Sequence, residues 1–140
     1  MTKNYWLYKS EPSAWSWDQQ VKAGTKGTFW SGVRNHLAKQ NMMKMKKGDQ
    51  GFFYHSNEGK EIVGVIEIVR EAYPDPTDKT GKFVMVDVAP VKPLKNPVTL
   101  AAIKSSPALK NMALVKQSRL SVMPIDPKSW ESLTLKGKYI

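Results

Sequence analysis

Residues 61–72, EIVGVIEIVREA, form a nearly continuous run of isoleucine and valine. A run of this kind is typical of a strand that is covered on both faces. The aromatic segment 50–54, QGFFY, comes before it and follows a turn at 47–49, whereas 83–91 comes after it and alternates in character. Both flanking segments have strand patterns, so the middle of the chain is predicted to consist of three strands.

Shorter elements are predicted on both sides of these strands. Further strands are predicted at 5–9 and 115–122, and short helices at 16–24, 35–45, 100–104, 107–112 and 126–133. Ser16 with Gln19 has the spacing of a capping box, and Thr99 and Asp126 are good helix N-caps. The prolines in segment 73–77 predict a long loop between two of the strands.

Five or so strands broken by short helices, without a strand–helix–strand rhythm, predict a mixed α/β (α+β), barrel-like fold. The same pattern excludes a doubly wound nucleotide-binding fold. The chain has 140 residues, 15.8 kDa and no linker-like or repetitive segment, so residues 1–140 are predicted to form one domain.

The composition limits the classes of function. There are no cysteines, which excludes disulfides, thiol nucleophiles and thiolate metal sites. No apolar stretch approaches the ~20 residues of a membrane span, and the N-terminus lacks the apolar region of a signal peptide. We therefore expect a cytoplasmic protein that does not bind membranes.

The charge is strongly positive, with 22 lysines and arginines against 12 acidic residues and a net charge of +10. An excess of this size favours a polyanionic partner, and nucleic acid is the first candidate. The alternative, that the lysines only keep a small protein in solution, stays open on charge alone. Only Arg34, Arg70 and Arg119 are arginines. Because arginine makes directed bidentate contacts, these three are candidate site residues.

The sequence contains no convincing catalytic constellation. Neither the GxGxxG nor the P-loop spacing occurs, and His36 and His55 lack metal-ligand spacing, so no cofactor and no metal are expected. His55 and Ser56 are adjacent on a predicted strand, where neighbouring side chains point to opposite faces. We therefore interpret His55 as a half-buried histidine satisfied by a backbone group, and we assign no catalytic residue.

Aromatic residues stand beside hydrogen-bonding residues in three segments. The segments are Lys9, Ser10 and Glu11 with Trp15 and Trp17; Trp30 with Arg34 and Asn35; and Tyr54 with His55 and Ser56. A flat aromatic wall with polar groups at its rim suits a planar heterocycle, which gains stacking and edge-specific contacts. The alternative is that these aromatics are core, and we accept it for Phe29, Phe52 and Trp130. Trp30 is predicted to lie in a polar loop, where functional residues concentrate.

Several motifs together resemble the EVE domain, a single-domain family of the PUA-like superfamily. They are YWLYKSEP at 5–12, WSGVRN at 30–35, GD at 48–49 with FFYHS at 52–56, REAYPDPT at 70–77 and QSRLSV at 117–122. The resemblance runs in the same order from about Tyr5 to Trp130. It implies a PUA-like pseudo-β-barrel of about five or six strands flanked by short helices.

The resemblance also implies a binding module that accepts a modified base in a pocket after the base leaves the stack. Carried onto this chain, the pocket motifs imply one wall at 9–11, a second at Trp30, Arg34 and Asn35, and a floor at His55 and Ser56. The rim would consist of Gln117, Arg119 and Ser121.

The leading hypothesis is thus a non-enzymatic nucleic-acid-binding module that reads a modified base, such as a modified cytosine, in DNA or RNA. One alternative is an enzyme, or an enzyme accessory, that acts on RNA or nucleotide bases. Another is a protein-interaction module whose basic face binds an acidic partner. The oligomeric state stays open, with a monomer favoured.

Overall fold

The structure is a computed structural model that describes residues 4–10, 16–24, 28–30, 36–56, 60–107, 109–116, 120 and 122–137; at 28–30, 36 and 113 it describes the backbone. Within these residues the strands are β1 (Tyr5–Ser10), β2 (Thr28–Trp30), β3 (Gln50–His55), β4 (Glu61–Pro74), β5 (Val84–Thr99) and β6 (Val122–Ile125). The helices there are α1 (Trp17–Ala23), α2 (His36–Lys44), α3 (Leu100–Ser105), α4 (Ala113–Lys116) and α5 (Pro127–Lys136).

The strands form one mixed sheet in the order β2-β5-β4-β3-β1-β6. The β1–β3 pair is parallel, and the other neighbouring strands are antiparallel. The three strands predicted from the middle of the sequence, β3, β4 and β5, are adjacent, and Ile62, Ile66 and Ile68 of β4 are fully buried. The mixed α/β fold of about six strands with short helices is confirmed.

Local hydrogen bonds explain where three helices begin. The Ser16 hydroxyl accepts from the Gln19 amide at 3.2 Å, and the Gln19 side chain accepts from the Ser16 amide at 2.8 Å, which completes the predicted capping box. Thr99 and Asp126 cap α3 and α5 by accepting hydrogen bonds from the Ala102 and Ser129 amides. Each cap satisfies amides that have no partner within their helix.

Helices cover both faces of the sheet at β1 and β3. Trp130 of α5 stacks between Tyr5 and Phe52 on one face, with ring centroids 4.3 and 4.2 Å away. On the other face, Trp17 of α1 meets Phe53 edge to face at 5.4 Å. The prediction that Phe52 and Trp130 belong to the core is confirmed, since they are 0% and 8% exposed. The Phe29 side chain lies outside the described part of the structure.

The strand predicted at 115–122 is wrong. Residues Ala113–Lys116 form α4, where the Val115 and Lys116 amides donate to the Met112 carbonyl, and β6 covers Val122–Ile125. Local turn hydrogen bonds therefore prevail where the alternation of apolar residues is weak. Strand β6 pairs with β1 from Val122 onward.

The ends of two other predicted strands also differ. Strand β4 continues through Tyr73 and Pro74, and β5 extends to Thr99 although it contains three prolines. Register shifts interrupt the β4–β5 ladder at several points. Irregularities of this kind accommodate residues that lack an amide hydrogen.

Trp30 was predicted to lie in a loop, and this is wrong for its backbone. Trp30 is the last residue of β2 and pairs with Val86 of β5. A long-range partner strand, which the local sequence does not reveal, determines this conformation.

In the described part of the chain, no helix is long and apolar enough to cross a membrane.

Candidate functional site

The parallel pairing of β1 with β3 brings four of the predicted site residues to one edge of the sheet. Lys9 lies beside Tyr54, and Ser10 lies beside His55, because both strands end at this edge. Side chains alternate along a strand, so Lys9 and Tyr54 share the face of Tyr5 and Phe52 with α5, whereas Ser10 and His55 share the face of α1. Predicted ligand-binding residues therefore lie on both faces of the sheet at this edge.

Burial affects the ionisation of Lys9 and Tyr54 on the face that carries α5. Tyr54 is 3% exposed, whereas Lys9 is partly exposed. Burial lowers the pKa of Lys9 and raises the pKa of Tyr54 from their ordinary values, since it disfavours the charged form of each group. Lys9 is thus a partly sheltered ammonium group at the carboxyl end of β1.

His55 connects the second face to α1. Its Nε2 atom accepts a hydrogen bond from the Trp17 backbone amide at 3.0 Å, and its ring meets Phe53 edge to face at 5.6 Å. Burial lowers the pKa of His55, although the negative charges of Glu61 and Asp18 act in the opposite direction. The interpretation of His55 as a partly buried histidine satisfied by a backbone group is confirmed.

Trp17 is packed more tightly than the sequence suggests. It is 8% exposed, and its ring lies over Gly64 of β4. A Cβ atom at position 64 would lie 2.4 Å from the Trp17 Cη2 and Cζ2 atoms, which is too close for any side chain. Trp17 therefore packs in the core in this structure, and its ligand-binding role stays a prediction.

The remaining predicted site residues lie partly or wholly outside the described residues. For Trp30 only the backbone is described. Seven residues are outside entirely: Glu11, Trp15, Arg34, Asn35, Gln117, Arg119 and Ser121. Their assignments as ligand-binding residues stay predictions.

Arg70, the described member of the three arginine candidates, belongs to a cluster that the sequence reasoning missed. Its guanidinium lies 3.7 Å from the centroid of the Tyr73 ring, and the Tyr73 hydroxyl donates to the Asp87 carboxylate. Burial and this hydrogen bond raise the pKa of Tyr73 to about 12. The sequence predicts Tyr73 in a loop and therefore does not reveal this cluster, which joins β4 to β5.

Two cavities in the described part of the chain have volumes of about 290 and 360 Å³, and neither is lined by a predicted site residue. The larger one lies at the start of β1, the opposite end of that strand from Lys9 and Ser10. Among the described residues, no three histidine or acidic side chains are grouped so that they could hold a metal ion.

Comparison with known proteins places the chain in a family. The family model of the EVE domain matches residues 4–135. The thymocyte nuclear protein 1 of Gallus gallus is 34% identical over 94% of this chain and 67% of its own length.

Solved structures agree with this assignment. A protein of Rhodopseudomonas palustris, determined by NMR, is 60% identical, with a TM-score of 0.93 over 98% of this chain and 94% of its own. The crystal structure of human THYN1 protein in complex with 5-methylcytosine containing DNA is 32% identical, with a TM-score of 0.89 over 99% of both chains. The sequence motifs, the fold and these relatives lead to one conclusion: the chain belongs to the EVE domain family.

Proposed function

We propose that this protein is a non-enzymatic module that binds nucleic acid and reads a modified nucleobase, such as a modified cytosine, in an aromatic-lined pocket. The observation that carries the proposal is its likeness, over 99% of both chains, to a human protein in complex with 5-methylcytosine containing DNA. The net charge of +10 supports a polyanionic partner.

The edge formed by β1 and β3 supports this proposal chemically. Lys9 supplies a positive charge for a phosphate or for a base oxygen, and the half-buried Ser56 supplies a hydroxyl group beside the buried Ser10. Trp30 at the end of β2 is proposed to supply a stacking surface, with Arg34 and Asn35 reading the edge of the base. Stacking would provide affinity, and the polar groups would provide selectivity.

Titration with matched oligonucleotides tests the proposal. Single-stranded and duplex DNA and RNA, with cytosine or 5-methylcytosine at one position, are titrated against the protein by fluorescence anisotropy at several salt concentrations. We expect tighter binding of the modified strand and a log–log salt slope of about −0.7 per phosphate neutralised on single strands. Affinity that does not change with salt, or equal affinity for both bases in every format, would contradict the proposal.

Product analysis separates the module from an enzyme. After incubation with each oligonucleotide, digestion to nucleosides and mass spectrometry should show unchanged bases. A protein-dependent loss or conversion of the modified base would assign the protein to the enzyme class instead.

Replacing Trp30 by alanine is expected to weaken binding of the modified strand by about 1–3 kcal/mol, the contribution of stacking on an aromatic side chain. The melting temperature should change little, since the proposed role is to contact the base. Trp130→Ala is the matched control, because Trp130 stacks within the core between Tyr5 and Phe52. It should lower stability without changing the affinity of the folded protein. A large loss of stability in Trp30→Ala with affinity retained would show Trp30 to be a core residue.

A further inference from the structure

His55, the last residue of β3, and Ser56, which follows it, each form a hydrogen bond with a different part of the chain. The Ser56 amide donates to the Ser10 carbonyl at 2.9 Å, which extends the parallel β1–β3 pairing beyond the strands. The neighbouring His55 accepts from the Trp17 amide at 3.0 Å. Trp17 is the first residue of α1, where an amide has no partner within the helix. The end of β3 thus joins the end of β1 to the start of α1.

The contact between His55 and Trp17 exists only when Nε2 carries no proton. A backbone amide can only donate, so Nε2 must accept, and the single imidazole proton then lies on Nδ1. Protonation would place an N–H group opposite the amide N–H group and remove the hydrogen bond. It would also add a positive charge at the N-terminus of a helix, where cations are disfavoured.

The surroundings of His55 favour the neutral form. Asp18 of α1 and Glu61 of β4 are the described charged groups that act on it, and both stabilise the protonated ring. Burial between the strand end and α1 outweighs them, and the pKa lies below its usual 6.5. The register partner of His55 on β1 is the uncharged Ser10, and on its own strand the His55 ring contacts Phe53 edge to face.

Resting on the proposed function, we propose that neutral His55 is a positioning residue for nucleobase binding. By accepting the Trp17 amide, it positions the start of α1 beside the edge where Lys9, Ser10 and Ser56 lie, and protonation of its imidazole removes this hydrogen bond and weakens binding. The site is therefore competent near neutral pH and loses affinity in acid.

The direction in which pH changes stability follows from the difference between the pKa of His55 in the folded protein and in the unfolded chain. Because the pKa of His55 is lower in the folded protein than in the unfolded chain, its contribution to stability is fully present above pH 6.5. That contribution is lost as the pH falls from 6.5 through the lowered pKa. Affinity is expected to fall over the same range.

Two variants distinguish the effect of the hydrogen bond on binding from the effect of protonating the His55 imidazole. In His55→Gln the amide oxygen occupies nearly the place of Nε2 and accepts a hydrogen bond, but it does not titrate. In His55→Leu no acceptor remains. Affinity for a 5-methylcytosine oligonucleotide is measured from pH 5 to 8 at constant ionic strength, and exchange of the Trp17 amide hydrogen is followed by NMR. Circular dichroism checks that each variant is folded.

We expect wild-type affinity to fall by about two- to tenfold below pH 6.5, the effect of one lost hydrogen bond, with a lower protection factor for the Trp17 amide, which compares its exchange rate with the intrinsic rate at the same pH. His55→Gln should bind somewhat more weakly at pH 7.5 and lack this extra acid-induced loss. His55→Leu should bind still more weakly, with a low protection factor for the Trp17 amide at every pH. The same pH profile for wild type and His55→Gln, at intact binding, would overturn the positioning role alone. No binding by the wild type at pH 7.5 would overturn the proposed function itself.

Discussion

Replacing Trp17 by alanine is expected to lower the free energy of unfolding by about 3–5 kcal/mol, the usual effect of truncating a buried tryptophan. The residue is 8% exposed, meets Phe53 at 5.4 Å and lies over Gly64. Its removal would leave a cavity between α1 and the sheet. Urea denaturation monitored by circular dichroism measures the change. Val21→Ala is the control on the same helix, because Val21 is 47% exposed and should change stability by less than about 0.5 kcal/mol.

The pairing of Trp17 with Gly64 gives a second, independent check. Gly64→Ala should destabilise the protein, because its Cβ atom would lie 2.4 Å from two ring atoms. The same substitution should be much less harmful in the Trp17→Ala background, where the ring is absent. If Trp17→Ala instead keeps the wild-type stability and abolishes oligonucleotide binding, Trp17 is a ligand contact and not a core residue.

Local chemistry explains which parts of the fold were predictable. The three capped helix starts depend on residues within three positions of one another, and all three are confirmed. The run of isoleucine and valine in β4 indicates a largely buried strand, whatever the partner strands are. Signals of this kind are contained in the segment itself, so a single sequence reveals them.

Long-range contacts explain what the sequence does not reveal about two tryptophans. Trp30 belongs to a strand only because β5 lies beside it, more than 50 residues later in the sequence. The sequence also does not reveal the fit of the Trp17 ring over Gly64, which depends on a contact across 47 positions, and the ligand-binding role of Trp17 stays a prediction. Weak alternation near Val115 also could not outweigh local turn hydrogen bonds. The error at Trp30 thus involves a partner that is absent from the local pattern, whereas the error near Val115 arises from local hydrogen bonds.

For the candidate site, the sequence indicated which strand ends lie close together, and the ligand-binding roles stay predictions. The aromatic and polar motifs indicated the ends of the strands near Lys9 and His55, and the parallel β1–β3 register places these residues together. A backbone partner for His55 was predicted, but its identity, the Trp17 amide, depends on how α1 packs. A sequence can therefore nominate the residues of a site before it can define their geometry.

Asp49 is a buried polar residue whose hydrogen bonds connect the turn before β3 to the start of β1. It follows the turn at Gly48, is 5% exposed, and stands directly before β3. Its carboxylate accepts hydrogen bonds from the Trp6 indole nitrogen at 3.1 Å, from the Lys46 amide at 2.9 Å and from the Asn4 amide at 3.4 Å. One side chain thus links the turn to the first residues of β1.

Replacing Asp49 by alanine is expected to lower the free energy of unfolding by about 3 kcal/mol, because the buried indole N–H of Trp6 and the Lys46 amide would lose a charged acceptor. Asp49→Asn keeps one acceptor oxygen and should lose less. Trp6→Phe removes one donor, so in a double-mutant cycle its effect should shrink when Asp49 is already alanine. Chemical denaturation of the four proteins measures this coupling. Purely additive effects, or wild-type stability in Asp49→Ala, would mean that the carboxylate does not hold β1 to the turn, and the start of the sheet would then depend on apolar packing alone.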